Sequence, residues 1–179
     1  MFPDVDDQKS FALRLIIHYV GDLHQPLHAT AEVDSYYPHG DAGGNYEHLP
    51  SDPETGVSNL HQVWDSVIYG YCGWETLPLD RKGWAYYSAT TEQLQFMYPV
   101  DEDLAKITDF SVWAHESFEM SATLVYPNFV YDTKPDADYI ASAKPALEQR
   151  VVLAGNRLAK LVEAIYSPSN IENVALFLQ

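Results

Sequence analysis

The stretch Ser10-Phe-Ala-Leu-Arg-Leu-Ile-Ile-His18-Tyr-Val-Gly-Asp22-Leu-His24-Gln25-Pro26-Leu-His28 places Leu13, Ile16, Ile17 and Val20 along one side of a helix. Pro26 cannot donate the next helical hydrogen bond, so the helix predicted over 10–25 breaks or kinks there. The polar residues of the same stretch have a spacing of their own. His18 and Asp22 stand four apart and therefore share a helix face.

Outward from this stretch the pattern stays helical. Residues 30–58 are rich in Pro, Gly, Asp, Ser and Tyr without an apolar period and read as a long loop, with a short hairpin expected around Gly43-Gly44. Ser58-Asn59 offers an N-cap for a helix through Leu60, Val63, Trp64, Val67 and Ile68, closed by Gly70 and Gly73. Further helices are expected over 86–97, over 109–125 before Pro127, and over 138–165. No segment alternates with period two for long enough to be a strand, and no internal repeat is visible. The expected class is all-α, a single domain over 1–179.

Composition narrows the chemistry. The chain has 179 residues, 46% hydrophobic and 20% charged, which suits a domain with a real core. It carries 10 Lys+Arg against 26 Asp+Glu, a formal net charge of −16, and so excludes a protein that grips nucleic acid through a basic stripe. A phosphate ligand would have to be held by something else, and bound metal cations are the evident means. No stretch approaches the roughly 18 uninterrupted apolar residues of a membrane span. Cys72 is the single cysteine, so no internal disulfide forms, and Met1 to Asp7 lacks the basic and apolar regions of a signal peptide.

Six histidines, His18, His24, His28, His39, His48 and His61, fall between residues 18 and 61, and a second His-x-x-x-Asp pair, His61 with Asp65, repeats the first. Each pair can aim an imidazole and a carboxylate at one point, a donor set that zinc accepts. Taken alone, a pair of this kind reads more simply as a helix-surface hydrogen bond, and Gly43-Gly44-Asn45 reads as a turn.

Together the motifs are more specific. His18-Tyr-Val-Gly-Asp22-Leu-His24-Gln-Pro-Leu-His28, then Gly40-Asp41-Ala-Gly43-Gly44-Asn45, then Asn59-Leu-His61-Gln-Val-Trp-Asp65 form an ordered set that resembles the hallmark of the S1/P1 nucleases. Trp113-Ala-His115-Glu116-Ser117 and Ala154-Gly155-Asn156-Arg157-Leu158-Ala159 resemble later helices of that family. The resemblance covers nearly all of Phe11 to Tyr166.

It implies a helical fold like that of P1 nuclease and zinc phospholipase C, with a long loop and without the N-terminal helices, so that this chain corresponds to the C-terminal portion of the domain. It implies three zinc ions in the complete site. His28, His61 and Asp65 would hold the solitary zinc, and His18 and Asp22 would belong to the close pair. Gly43, Gly44 and Asn45 would form the nucleotide pocket, and His24 and Glu116 would orient ligands. The family's remaining ligands and the aspartate that orients the attacking water lie upstream of the matching segment, so the catalytic base has no counterpart here. One zinc is expected to be held firmly by this chain alone, with an N-terminal fragment of the same protein as a partner.

The implied function is metal-dependent cleavage of single-stranded DNA and RNA and of 3′-nucleotides to 5′-phosphate products. Secretion, or a lysosome- or vacuole-like compartment, follows by the same resemblance. The alternatives are a zinc phospholipase C, which Asp41-x-Gly-Gly-Asn45 disfavours, and a noncatalytic structural or interaction protein on a truncated nuclease fold.

Overall fold

An aspartate or asparagine starts each α-helix of the computed structural model, which describes residues 4–68, 70 and 78–167. Asp4 caps α1 (Val5–Asp22), Asn59 caps α2 (Leu60–Asp65) and Asp80 caps α3 (Arg81–Met97). Asp101 caps α4 (Glu102–Ala105), Asp109 caps α5 (Phe110–Met120) and Asp136 caps α6 (Ala137–Ile165). Each side chain accepts a backbone N–H of the first turn that the helix itself cannot satisfy, and a carboxylate also meets the positive end of the helix dipole. Part of the acidic excess is therefore spent on helix starts.

The caps also shift the expected boundaries. With Asp4 in place α1 begins at Val5 rather than Ser10, and it ends at Asp22, after which Pro26–His28 forms a 3-10 turn capped by the Gln25 side chain. Asp80 starts α3 at Arg81, five residues before the apolar pattern begins. The helix expected over 109–125 divides into α5 and a π-type turn, Ser121–Val125. Helix α2 is shorter than expected. Val67 and Ile68 take positive φ angles of 44° and 48°, so the helix stops at Asp65 while Ile68 still reaches the core. Its expected closing residue Gly73, like Cys72, lies outside the described residues.

Two apolar clusters form the core. The larger gathers Leu27, Leu60, Val63, Trp64, Val125 and Leu147, and the smaller joins Val20, Trp113 and Ala154. Both tryptophans are fully buried and keep their N–H groups satisfied, Trp64 by donating to the Tyr139 hydroxyl at 2.8 Å and Trp113 to the Ile107 carbonyl at 2.8 Å.

Between the helices lies a buried ionic network. Glu116 of α5 accepts from Arg150 at 2.6 Å and from Arg157 at 2.7 and 2.8 Å, both arginines belonging to α6. Burial alone would raise the Glu116 carboxyl, but these charge-assisted bonds outweigh it and hold the group down at about 2. Arg150 also donates to Ser117 Oγ at 2.8 Å and to the His24 carbonyl at 3.3 Å, and Ser117 donates to the Leu23 carbonyl at 2.6 Å. Helices α5 and α6 thus clamp the chain just after α1.

The 30–58 loop is ordered from within. Asp41 is fully buried and accepts four hydrogen bonds: from the N–H groups of Glu32 (2.9 Å), Gly43 (2.9 Å) and Gly44 (2.7 Å), and from the Tyr126 hydroxyl (2.7 Å). Gly43 has φ +62°, and a Cβ there would stand 2.3 Å from the Leu27 carbonyl oxygen. The hairpin expected at Gly43-Gly44 instead forms beyond it. Leu49 N–H donates to the Ser58 carbonyl at 3.0 Å and Asp52 N–H to that of Val57 at 2.8 Å, because the two glycines are packed against Leu27 and the start of α2.

Two stability measurements follow. Replacing Glu116 by Gln leaves two guanidiniums without a countercharge and is expected to cost about 2–3 kcal/mol in urea unfolding, less than a fully buried pair because Glu116 is partly exposed. Since its folded pKa is depressed, the native Glu116 contributes stability that is complete above its ordinary value and lost as pH falls from about 4.5 toward about 2. That acid-side loss should shrink in Glu116→Gln. Gly43→Ala should destabilise by at least about 2 kcal/mol through left-handed strain and the clash with Leu27.

Candidate metal centre

The clamp behind α1 decides where the polar residues of the motif point. His24 is buried, donates from Nδ1 to the Val20 carbonyl at 2.7 Å and accepts at Nε2 from Arg157 at 2.9 Å. A carbonyl can only accept and a guanidinium only donate, so this ring is neutral with its proton on Nδ1. Burial, together with the two arginines and against the Val20 bond, lowers its pKa to about 4. The next residue, Gln25, turns the chain. Its Oε1 accepts from the Leu27 N–H at 2.5 Å and its Nε2 donates to Asp65 Oδ1 at 2.9 Å.

His28 emerges from the 3-10 turn between two carboxylates. Its Nδ1 lies 3.6 Å from Asp22 Oδ2 and its Nε2 lies 3.4 Å from Asp65 Oδ1. His61 Nε2 lies 3.4 Å from Asp65 Oδ2, and His18 Nε2 lies 3.2 Å from Asp22 Oδ2. The five residues thus form one continuous chain of contacts, His18 to Asp22 to His28 to Asp65 to His61, drawn from α1, the 3-10 turn and α2. Within it, donor atoms of His28, His61 and Asp65 all fall within 4.8 Å of one another, the group among the described residues whose spacing could hold a metal ion. His18 and Asp22 extend it on one side.

Electrostatics and tautomers suit that role. His61 Nδ1 donates to the Gly43 carbonyl at 2.8 Å, which leaves the Nε2 lone pair facing the Asp65 side of the group. The hydrogen bond with Asp65 raises the His28 pKa against the effect of its burial, and Asp22 adds to the rise. Burial opposes ionisation of Asp65, but the bonds from His28 and Gln25 outweigh it and keep that carboxyl below its ordinary value. A pocket of about 350 Å³ adjoins the group, with Asp22, His28 and Asp65 at its polar edge and Val20, Val151 and Leu158 among its apolar lining.

Other sequence expectations meet a different setting. Gly43 and Gly44 are buried, and the side on which a Cβ would stand is packed against Leu27 and the first turn of α2. Their part is to present the Gly43 carbonyl to His61. Asn45 is exposed at the end of this turn, with Nδ2 donating to the Ala42 carbonyl at 2.9 Å. His24 and Glu116 bond to the arginine network and not to the ligand group; the direct partners of the group are Gln25 and the Gly43 carbonyl. Sequence reasoning missed both. Gln25 sits forty residues from Asp65, and only its place before Pro26, inside the motif, could have drawn attention to it.

With this geometry in view, comparison with known proteins is specific. The model of the S1/P1 Nuclease family matches residues 3–167. Endonuclease 5 of Arabidopsis thaliana is 29% identical over 170 residues, covering 87% of this chain and 51% of that protein. Endonuclease 4 of the same plant is 30% identical over 163 residues, covering 87% and 50%. Nuclease S1 of Aspergillus oryzae is 26% identical over 173 residues, covering 87% and 54%. The chain spans about half the length of the curated relatives it matches. All-helical among its described residues, and matched by the family model over all but its two ends, the chain belongs to the S1/P1 nuclease family.

Proposed function

We propose that this chain forms the metal cleft of a zinc-dependent nuclease that hydrolyses phosphoester bonds in single-stranded DNA and RNA and in 3′-nucleotides, giving 5′-phosphate products. The convergence of His28, His61 and Asp65, with the His61 tautomer set by the Gly43 carbonyl, carries this reading. Two neutral imidazoles and a carboxylate suit zinc, and three protein donors leave room for a further ligand, the pattern of a catalytic rather than structural site. His18 and Asp22 belong in this reading to a second ion beside the first. When bound, zinc supplies Lewis acidity that acidifies water and offsets phosphate charge, which is how a protein with net charge −16 can accept a nucleic acid.

The residues of the chain do the positioning. Gln25 fixes the Asp65 carboxylate, the Gly43 carbonyl fixes the His61 ring, and the clamp on His24 fixes the backbone between Asp22 and His28. Asn45, exposed at the end of the Gly43-Gly44 turn, is the amide that would hydrogen-bond an unstacked base; a base held in a duplex cannot present itself in this way, which gives single-strand preference.

Zinc content and hydrolysis of single-stranded DNA, measured on purified protein with and without chelator, test this reading. Zinc bound by this chain, little cleavage by residues 1–179 alone and, once the segment expected upstream is supplied, cleavage that chelator and His61→Ala both abolish are the expected results; zinc-free protein, or hydrolysis indifferent to both treatments, would overturn the reading. Gln25→Ala should weaken zinc binding by about 10–100-fold, the usual cost of losing a residue that orders a ligand. Chelation should also lower the melting temperature at neutral pH, and His61→Ala should already melt near the chelated value, because zinc loss leaves Asp22 and Asp65 facing one another across His28.

A further inference from the structure

Helix α3 turns one face inward and leaves the other open to solvent. Gly83, Tyr87, Thr90 and Leu94, spaced four, three and four apart, form the inward stripe, with Gly83 and Leu94 buried and the other two half-buried. Asp80 fixes the start of the helix by accepting the N–H groups of Lys82 and Gly83 at 2.9 and 2.8 Å. Tyr98 fixes its end, donating from its hydroxyl to Glu148 of α6 at 2.8 Å. The open face is therefore presented in one orientation.

That face has a relief of its own. At 3.6 residues per turn Ala85, Ser88 and Ala89 fall opposite the inward stripe, all exposed, and make a shallow floor of small side chains. Trp84 and Tyr86 stand on its two flanks, 63% and 49% exposed. Arg81 lies three residues before Trp84 and Lys82 four before Tyr86, so each ring has a cation as its neighbour along the helix. The Tyr86 ring meets that of Tyr87 edge-on at 5.3 Å, which restricts how it can lie.

The cations are as distinctive as the rings. In a chain of net charge −16, Lys9, Lys106, Lys134, Arg150, Arg157 and Lys160 are all engaged with carboxylates, whereas Arg81 and Lys82 have no ion pair among the described residues. Asp80 is committed to the cap, and the next acidic side chain along α3 is Glu92, about three turns on. Two cations are not the basic stripe that the composition excludes, so the rings must carry much of any affinity for a polyanion. Exposed aromatic faces beside cations are the means by which unpaired bases and their phosphates are held together. A membrane surface fits this face less well: its floor is alanine and serine, with no large aliphatic side chain to enter the acyl layer, and two cations are few for an anionic leaflet.

We infer that the first half of α3 is an auxiliary seat for single-stranded nucleic acid, with bases stacking on Trp84 and Tyr86 and backbone phosphates meeting Arg81 and Lys82. The inference rests on the nuclease reading for the choice of polymer and on α3 alone for the geometry. None of the four side chains belongs to the histidine centre, so the seat works without metal. Its consequence is a preference for strands over mononucleotides, since a polymer can engage α3 and the cleft together.

The test is the fluorescence anisotropy of a dye-labelled oligothymidylate titrated with purified protein at low salt in chelator, where the cleft is stripped of metal and cleavage is silent. Saturable binding that weakens as salt rises is expected, with a duplex of the same length bound at least about fivefold more weakly. Trp84→Ala and the double variant Arg81→Gln, Lys82→Gln should each lower the affinity at least about fivefold, and His61→Ala should leave it unchanged. All three side chains replaced on α3 are exposed, and circular dichroism should show both variants folded as the wild type. Absence of saturable binding in chelator, wild-type affinity in either variant, equal affinity for the duplex, or capture of phosphatidylserine vesicles in place of the oligonucleotide would overturn the inference. Failure of the nuclease reading would show elsewhere, as wild-type protein without zinc, and would leave this titration untouched.

Discussion

Glu116 accepts three charge-assisted hydrogen bonds from Arg150 and Arg157, and through those two guanidiniums it reaches the backbone and the ring of His24. Arg157 also lies over the Trp113 ring, 5.2 Å from its centroid, so the network is packed as well as paired. An ionic group this deep is weak support for stability in itself, because desolvation cancels much of the attraction. What it does supply is geometry. The arginines can be satisfied in one arrangement of α5, α6 and the end of α1, and that arrangement fixes the three residues between Asp22 and Pro26 from which the ligand-bearing turn departs.

The other half of the centre is held by hydrogen bonds to a single carboxylate and by close backbone packing. Asp41 gathers the loop around its carboxylate, the glycines pass close under Leu27, and the Gly43 carbonyl meets His61 at the start of α2. The two supports meet at Leu27, which packs on Gly43 and Gly44, and at the contact of His28 with Asp65. A shift of either would separate donor atoms that now lie within 4.8 Å. The centre therefore depends on two pieces of the fold holding their relative positions, which is consistent with metal strengthening the packing between them.

Much of this was legible in the sequence, and the parts that were not have identifiable causes. The His-x-x-x-Asp spacing placed each imidazole beside its carboxylate, and Asn59 announced α2, because both are effects of a single helical turn. The start of α1 was not legible from periodicity, since Val20 is its only buried residue and one cap at Asp4 sets the boundary. The end of α2 failed for the opposite reason: Ile68 continues the apolar pattern but is brought into the core by a reversal of the backbone. The position of Glu116 was readable only from afar. Arg150 and Arg157 stand seven apart on α6 and so share a face, a signal that two guanidiniums converge on one acceptor. Gln25 and Asp65 stand far apart in the chain, and no local pattern encodes such a contact.

The account stands or falls on whether one metal ion joins His28, His61 and Asp65. X-ray absorption at the zinc edge, on protein loaded with one equivalent of zinc, measures that directly. The account predicts a low-coordinate nitrogen and oxygen shell with two imidazoles, reduced to one in His61→Ala. A shell without imidazole scattering, or one that His61→Ala leaves unchanged, would contradict it.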